Sequence, residues 1–423
     1  MSYMEKLLAG VEVKWKELAE IAEVTGAGVD KKIIKTEKTV ILLNYMDVYK
    51  NPYLNSKIPA MQVTANDKKI EQCNVLKGDI FITPSSEVKN EIGFSAMAVE
   101  DMPNVVYSYH IMRVRLKEYN LIQSMFINYL FRSNALQEQI NKQAKGLTRF
   151  GLTKTQWEKL QIPIPCPDNP QKSLGIQKEI VRILDKFTEL TAELTAELTA
   201  ELTARKKQYN YYRDQLLNFE DKEVEWKSLG EVGELIRGNG LPKTDFTESG
   251  VPAIHYGQIY TYYGVYTMKT ISFVSEETAN KLRKFNYGDV IITNTSENLE
   301  DVGKSVAYLG VVEAVTGGHA TIFKPSKVIM GKYLAYFTQT AIFSKQKRKY
   351  AKGTKVIDIS ASDMSKIKIP IPSLVEQERI VSILDKFDTL TTSISEGLPK
   401  EIELRQKQYE YYRDMLLTFP KDN

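Results

Sequence analysis

The chain has 423 residues, 43% hydrophobic and 26% charged, with a net charge of +4, which suits two or three globular domains. No apolar run approaches the roughly 18 residues of a membrane helix and no signal-peptide pattern is present, so we expect a cytoplasmic protein. Two cysteines (Cys73 and Cys166) and three histidines (His110, His255 and His319) argue against a disulfide framework and a metal centre.

The first half begins with strand-like segments and ends with helix-like ones. Strands are predicted at Val40–Leu43, Asp79–Thr83 and Val105–Val114, and an amphipathic helix at Tyr119–Gln143. The proline-rich stretch 162–170 then prevents any helix from continuing through it.

A long helix follows, because apolar residues from Ile176 to Phe187 recur at intervals of three and four. It runs through three copies of Thr-Ala-Glu-Leu, whose leucines form one slowly turning stripe, to about Leu217. Each copy adds about 6 Å of helix, so the number of copies can set the length of a spacer, although low-complexity drift in a solvated helix would leave the same pattern. The repeat residues concerned are Thr191, Leu194, Thr195, Leu198, Thr199 and Leu202.

The second half follows the same plan. Strands are predicted at Val251–Ile259, Val290–Thr293, Val306–Val312 and Thr321–Phe323, and a helix at Lys332–Tyr350. A proline-rich stretch at 369–373 precedes a second long helix, in which Gly397-Leu398-Pro399 predicts a kink or break.

The two halves are an internal repeat. QKEIVRILDKFTEL at 177–190 returns as QERIVSILDKFDTL at 377–390, and KQYNYYRDQLLNF at 207–219 returns as KQYEYYRDMLLTF at 407–419. GDIFIT at 78–83 is matched by GDVIIT at 288–293, whereas residues 25–75 and 236–285 share little. The pattern is therefore a similar helix and a similar scaffold, each present twice, that carry different central segments, although a duplicated domain can also drift without purpose.

A polar helix of about 40 residues must pack against a partner, and the second copy is the obvious candidate, although pairing between separate chains stays open. The expected fold is therefore two α/β (α+β) globules and two long antiparallel coiled-coil helices, with a pseudo-two-fold repeat. Two globules at a fixed separation resemble a ruler for half-sites about one turn of DNA apart.

Basic residues recur at matched places in the two halves and are candidates for contacts to DNA phosphates. A solvated helix end would explain such charges about equally well, and recurrence in both halves favours DNA. These residues are Lys142, Lys145, Arg149 and Lys154 in the first half, and Lys345, Lys347, Arg348, Lys349, Lys352 and Lys355 in the second.

The variable centres are rich in side chains able to read base edges, since Asn and Gln pair with adenine. Tyrosines at this density are more often core and strand-surface residues than base contacts. The candidates are His255, Tyr256, Gln258, Tyr260, Tyr262, Asn294 and Thr295, with Asn44, Tyr45 and Asn66 among their counterparts in the first half.

These features together resemble the specificity subunits of type I restriction-modification systems. The resemblance rests on LDKF and KQYxYYRDxLL in both long helices, the Thr-Ala-Glu-Leu run, the repeated IPIP at 162–165 and 369–372, and GVPAIHYGQIYTYY at 250–263. It covers essentially the whole chain and points to the subfamily with Thr-Ala-Glu-Leu spacer repeats. The break at Gly397–Pro399 departs from a straight second helix.

The resemblance implies a division of labour along the chain. Target-recognition domains at 1–170 and 220–373 would each read half of a bipartite site on double-stranded DNA. Spacer helices at 171–219 and 374–423 would set the gap and bind two modification (methyltransferase) subunits, which restriction (motor and nuclease) subunits then join. The chain itself would hold no cofactor, because S-adenosylmethionine, ATP and Mg²⁺ would belong to the partners.

Two other classes of function compete with DNA recognition. An enzyme is disfavoured, because the sequence lacks the Asn/Asp-Pro-Pro-Tyr/Phe tetrad of adenine methyltransferases, a complete P-loop, GxSxG and HExxH. A scaffold that joins protein partners through its coiled coil, without binding DNA, remains the alternative. Salt separates the two, since DNA affinity falls steeply with ionic strength.

Overall fold

The computed structural model describes residues 6–220, 223–392 and 397–420. The chain forms two compact units: unit 1 comprises residues 1–195 and 404–423, and unit 2 comprises residues 196–403. Each unit thus contains one globule and parts of both repeat-bearing helical segments.

Two sheets form the frame of unit 1. The five-stranded sheet has the order Ala22–Thr25, Met112–Leu116, Ile80–Ile82, Ser95–Ala98 and Tyr53–Leu54. The four-stranded sheet has the order Met61–Ala65, Lys38–Leu43, Met102–Tyr107 and Asn74–Val75. Two short antiparallel pairs join Val13–Glu17 to Gln161–Pro165 and Ser85–Ser86 to Phe150–Gly151. The sheets are mixed, because Lys38–Leu43 and Met102–Tyr107 run parallel whereas most other pairs are antiparallel.

Unit 2 repeats this frame. One five-stranded sheet has the order Gly233–Arg237, Ala320–Pro325, Val290–Thr293, Ser305–Tyr308 and Tyr266–Thr267. The other has the order Phe246–Thr247, Ser272–Val274, Val251–Ile254, Ala314–Thr316 and Arg283–Phe285. The short pairs join Trp226–Ser228 to Lys368–Pro370 and Thr295–Ser296 to Ile357–Asp358.

The repeated motif GD(I/V)(F/I)IT forms the central strand in both units. Alternate side chains of a strand point to opposite faces, so Ile80 and Ile82 enter one core of unit 1 and Phe81 enters another. In unit 2, Val290 and Ile292 share one core while Ile291 enters a second. A strand covered on both faces explains why this motif is apolar without alternation.

Short helices surround the sheets. In unit 1 they are Leu18–Ile21, Tyr45–Lys50, Asp67–Gln72, Ser124–Phe131, Asn134–Gln143 and Lys154–Glu158, with a 3₁₀ turn at Lys89–Glu91. In unit 2 they are Leu229–Val232, Tyr256–Thr261, Glu276–Ala279, Gly331–Phe337, Ala341–Tyr350 and Ala361–Met364, with a 3₁₀ turn at Lys243–Asp245. The single helices predicted at 119–143 and 332–350 are each two helices, because Ser133 and Thr340 cap a new helix start.

The strand predictions for Val251–Ile259 and Val105–Val114 were too long. The first segment is a strand to Ile254 and then a helix from Tyr256, because the His255 side chain caps that helix by accepting from the Gly257 amide. The second is two strands, Met102–Tyr107 and Met112–Leu116, separated by a turn.

The long helices agree closely with the periodicity of the sequence. The first is continuous from Pro170 to Leu216, and its repeat leucines 194, 198 and 202 are half-buried. The second is broken as predicted, into Leu374–Thr392 and Leu398–Leu417. Pro399 lies in the first turn of the new helix, where its missing N–H is tolerated. In the part of the chain that the structure describes, no helix is long and apolar enough to span a membrane.

Both units contain the same contact between antiparallel helices. In unit 1 the rings of Phe187 and Tyr412 stack with centroids 5.6 Å apart, and in unit 2 the rings of Phe387 and Tyr212 stack at 5.7 Å. Each residue of one pair is 200 positions from its counterpart in the other. The internal repeat of the sequence is therefore also a repeat of tertiary contacts.

Candidate nucleic-acid interface

A hydrogen-bonded cluster of side chains lies where the central strand of unit 2 ends. Thr295 follows that strand, and its hydroxyl donates to Asp358 Oδ2 at 2.9 Å. Arg237 Nη2 lies 3.2 Å from the same carboxylate oxygen, and His319 Nδ1 lies 3.2 Å from the Thr295 hydroxyl. Four segments distant in sequence thus bring a cation, an acid and an imidazole together.

Aromatic rings extend this strand-end cluster. The ring centroid of Tyr256 lies 4.4 Å from that of His255 and 4.9 Å from that of His319. Burial lowers the pKa of His255, and the charges of Lys243 and His319 lower it further. His255 is therefore neutral at physiological pH, with one ring nitrogen already used as a helix cap.

Unit 1 has an equivalent cluster made of different side chains. The rings of Tyr109 and His110 lie 4.0 Å apart, and Arg149 Nε donates to the Ser85 hydroxyl at 3.0 Å. Burial lowers the pKa of His110, and the positive charges of Lys31 and Arg149 add to that effect. The bridges Val29–Ser108 in unit 1 and Asn239–Gly317 in unit 2 place His110 and His319 at corresponding points of the two frames.

A tight loop borders each strand-end cluster: residues 145–151 in unit 1 and residues 352–358 in unit 2. Each is closed by paired backbone hydrogen bonds, between Lys145 and Gly151 and between Lys352 and Asp358. Gly146 and Gly353 have φ values of 151° and 110°, in the region that favours glycine. The repeated Ala-Lys-Gly triplet therefore encodes a turn in which a lysine directly precedes the glycine.

Most of the predicted phosphate-binding cations lie on the surface, on the helices Asn134–Gln143 and Ala341–Tyr350, in these loops or close to them. Some already have acidic partners: Lys142 lies 3.8 Å from Glu138, Lys154 lies 3.5 Å from Glu158, and Lys352 lies 3.1 Å from Asp363. The exposed members of the set are Lys142, Lys145, Arg149, Lys154, Lys345, Arg348, Lys349, Lys352 and Lys355.

Lys347 does not belong with them. Its side chain is 4% exposed, and its ammonium donates to the carbonyls of Glu300 at 2.9 Å and Val302 at 2.5 Å. Burial lowers its pKa to about 8. The side chain faces the domain interior because its helix packs that face against the loop before Ser305, so the prediction of a phosphate contact is wrong for this residue.

Two predicted base-reading residues also have internal partners. Gln258 Oε1 accepts from the His255 amide at 3.1 Å, and Gln258 Nε2 donates to the Ser272 hydroxyl at 2.5 Å. Asn294 is fully buried, with its Oδ1 accepting from Thr321 at 2.7 Å. Both residues support the site: Gln258 uses both ends of its amide internally, and Asn294, whose Nδ2 has no hydrogen-bond partner, is too buried to meet a base.

The tyrosines and Thr295 occupy different depths. Tyr262 is exposed, Tyr256 and Tyr260 are half-buried on the helix Tyr256–Thr261, and Thr295 is buried within the cluster. In unit 1, Asn44 and Asn66 are helix N-caps, which accounts for these residues without any contact to DNA.

Sequence reasoning missed Arg237, His319 and Asp358 in unit 2, and His110 in unit 1. One signal could have found the histidines: two of the three in the chain fall at corresponding positions of its two halves. The loop at 352–358 brings Asp358 to Arg237, and no local pattern in the sequence predicts that approach.

Comparison with known proteins agrees with this geometry. The sequence-family model described as the type I restriction modification DNA specificity domain matches this chain twice, at residues 10–204 and 221–404. The chain is 39% identical to the EcoR124I/EcoR124II specificity subunit of Escherichia coli, covering 100% of this chain and 98% of that protein. It is 32% identical to the EcoprrI specificity subunit of E. coli, over 94% and 92% of the two chains.

Solved structures show the same fold. A chain from a study of complex assembly and conformational transition in the type I R-M system aligns with a TM-score of 0.68 at 16% identity, covering 96% of this chain and 97% of the other. The HsdS subunit of Thermoanaerobacter tengcongensis aligns with a TM-score of 0.52 at 16% identity, covering 96% and 95%. The chain therefore belongs to the type I restriction-modification DNA specificity family, whose members are the non-catalytic, DNA-recognising subunits of these systems.

Proposed function

We propose that this chain reads a bipartite DNA site, with residues 1–170 and 220–373 as its two target-recognition domains. The observation that carries this proposal is the strand-end cluster, which occurs in both units on one backbone frame but with different side chains. Equal frames dock on DNA in the same way, and unequal side chains select different bases. The exposed cations bind phosphates on either side of the bases.

The nearest candidates for base contacts are the exposed or half-exposed groups of the clusters. In unit 2 these are Arg237, Tyr256 and His319, and in unit 1 the candidate is His110. Arginine pairs bidentately with guanine, and an imidazole donates to or accepts from a base edge according to its tautomer. Gln258 acts indirectly, since it holds the backbone of His255.

Two copies of one methyltransferase subunit are the expected partners. Tyr211 and Tyr411, at equivalent positions of the repeated KQYxYYRD motif, are 62% and 66% exposed. Exposed aromatic residues favour protein interfaces, and the same residue presented twice suits two identical partners. Restriction subunits then join this complex in the cytoplasm. S-adenosylmethionine, ATP and Mg²⁺ act in those partners, where adenine methylation and cleavage take place.

The helices at 171–219 and 374–423 act as the spacer, and the chain belongs to the subfamily in which Thr-Ala-Glu-Leu units set the gap. The helix Pro170–Leu216 runs unbroken through the repeats, so deleting one unit shortens it by about 6 Å. That length corresponds to roughly one or two base-pair steps.

The test is a methylome. The chain is co-expressed with its cognate modification subunit in a methylation-free host, and N6-methyladenine is mapped by single-molecule sequencing. The expected result is one motif of two short blocks around a fixed gap. Deletion of Thr195–Leu198 should change only the gap. A folded, assembled complex that methylates no motif would refute the proposal in favour of a protein scaffold.

A further inference from the structure

Leu147 is an apolar side chain held almost entirely in solvent. It is 97% exposed and lies in the loop 145–151, beside the strand-end cluster of unit 1. The loop is well defined, because Lys145 and Gly151 exchange backbone hydrogen bonds of 3.2 and 3.0 Å. Gly146 makes the turn possible, since a Cβ there would collide with the Arg149 carbonyl. The exposure of Leu147 is thus a consequence of a shaped loop.

The neighbours of Leu147 favour a polyanion as its partner. Lys145 and Arg149 are exposed on either side of it, and Arg149 is oriented by its 3.0 Å bond to Ser85. Val311 is also 97% exposed, but it lies two residues from Glu313, which is paired with Lys284. Of these two fully exposed aliphatic residues, only Leu147 is flanked by cations.

We propose that Leu147 is a wedge that inserts between adjacent base pairs of the half-site bound by unit 1. This proposal rests on the DNA-reading function above. The base stack is the apolar interior of DNA, and architectural DNA-binding proteins open it with aliphatic side chains supported by nearby cations. Lys145 and Arg149 would bind the phosphates on either side of the opened step. Unstacking there also makes it easier for a partner methyltransferase to extrude an adenine.

The corresponding loop of unit 2 is less suited to insert between base pairs. Its tip holds Thr354 and Lys355 where unit 1 has Leu147 and Thr148, and its aliphatic residue is the shorter, less exposed Val356. A wedge in unit 1 alone predicts that only one of the two half-sites is unstacked. This asymmetry is itself measurable.

The test uses the assembled modification complex and duplexes in which 2-aminopurine replaces each base of the two half-sites in turn. Apart from the adenines that the methyltransferases extrude, fluorescence should rise on binding at one step in one half-site only. Leu147→Ala should abolish that rise, Leu147→Met should retain it, and Val311→Ala should leave it unchanged. Fluorescence anisotropy with the same duplexes measures affinity in parallel.

The outcomes separate this inference from the function on which it rests. Specific binding without a fluorescence rise, or a rise that survives Leu147→Ala, overturns the wedge and leaves DNA recognition intact. Loss of complex assembly in Leu147→Ala, with no unstacking in the wild type, assigns the residue to a protein interface instead. Absence of any sequence-specific binding refutes the proposed function itself.

Discussion

Removing the exposed charge of the helix Ala341–Tyr350 and its following loop should weaken DNA binding in a salt-dependent way. The perturbation is Lys345, Arg348, Lys349 and Lys352 changed together to alanine, all exposed in unit 2. Each phosphate contact contributes about 0.9 to the slope of log affinity against log salt, so four contacts contribute about 3.6. Between 50 and 200 mM salt, the affinity of the wild type should then fall about 150-fold more than that of the variant.

The assay is fluorescence anisotropy with the assembled complex and an unmethylated duplex that contains its target motif. The measurement is repeated across a salt series. Lys347→Met is the matched control, because it removes a lysine from the same helix whose ammonium lies inside the domain. Its slope should equal that of the wild type. An unchanged slope in the four-residue variant would refute the placement of phosphates on this surface, whatever the absolute affinity.

Three further changes test the framework that supports the site. Burial lowers the pKa of Lys347 in the folded state to about 8, so above that pH the unfolded chain binds more protons than the folded chain. The stability of the wild type relative to Lys347→Met, measured by urea unfolding, should therefore rise by about 2 kcal/mol between roughly pH 8 and 9.5. Asp385→Asn should destabilise unit 2 by about 1–3 kcal/mol in the same assay, because it removes the charge paired at 2.7 Å with the mostly buried Lys332. Gly353→Ala should cost about 1–3 kcal/mol and weaken binding to all sequences, since φ is 110° there and a Cβ would meet the Val356 carbonyl; normal thermal unfolding and affinity would contradict this.

Periodicity predicted the long helices well because their apolar faces are set by local spacing. The break near Gly397 was also predictable, since Gly and Pro act on the local backbone. The helices at 119–143 and 332–350 were harder, because an amphipathic pattern can run through a change of direction. Ser133 and Thr340 were the available signals, but serine and threonine are common enough inside helices to be overlooked.

The candidate site was harder to predict, because its residues meet through tertiary structure. Lys347 looks like its neighbours in the sequence, and only the carbonyls of Glu300 and Val302, 45 or more residues away, show that it points inward. Arg237 and Asp358 are 121 positions apart, yet they share an ion pair. Composition identifies a basic or polar segment, but burial decides which of its members can reach a ligand.

The duplication separates two tasks of a specificity subunit: attaching each globule to its helix, and reading DNA. Where each globule meets its helix, the contacts are alike: Tyr129 donates to Asp185 at 2.7 Å in unit 1, and Tyr336 donates to Asp385 at 2.6 Å in unit 2.

At the strand ends the side chains differ, and the loops beside them are closed by backbone hydrogen bonds and glycine conformations that do not depend on the exposed residues. Substitutions on those loops therefore need not disturb the core or the carboxylates of Asp185 and Asp385. Exposed residues that lie away from the core and from buried hydrogen bonds change stability little when they are replaced. One half-site preference can then change without altering the other or the spacer, since the two clusters share no residue. Exchanging Arg237 and His319, the exposed base-contact candidates of unit 2, should accordingly change one block of the methylated motif and leave the gap as it was.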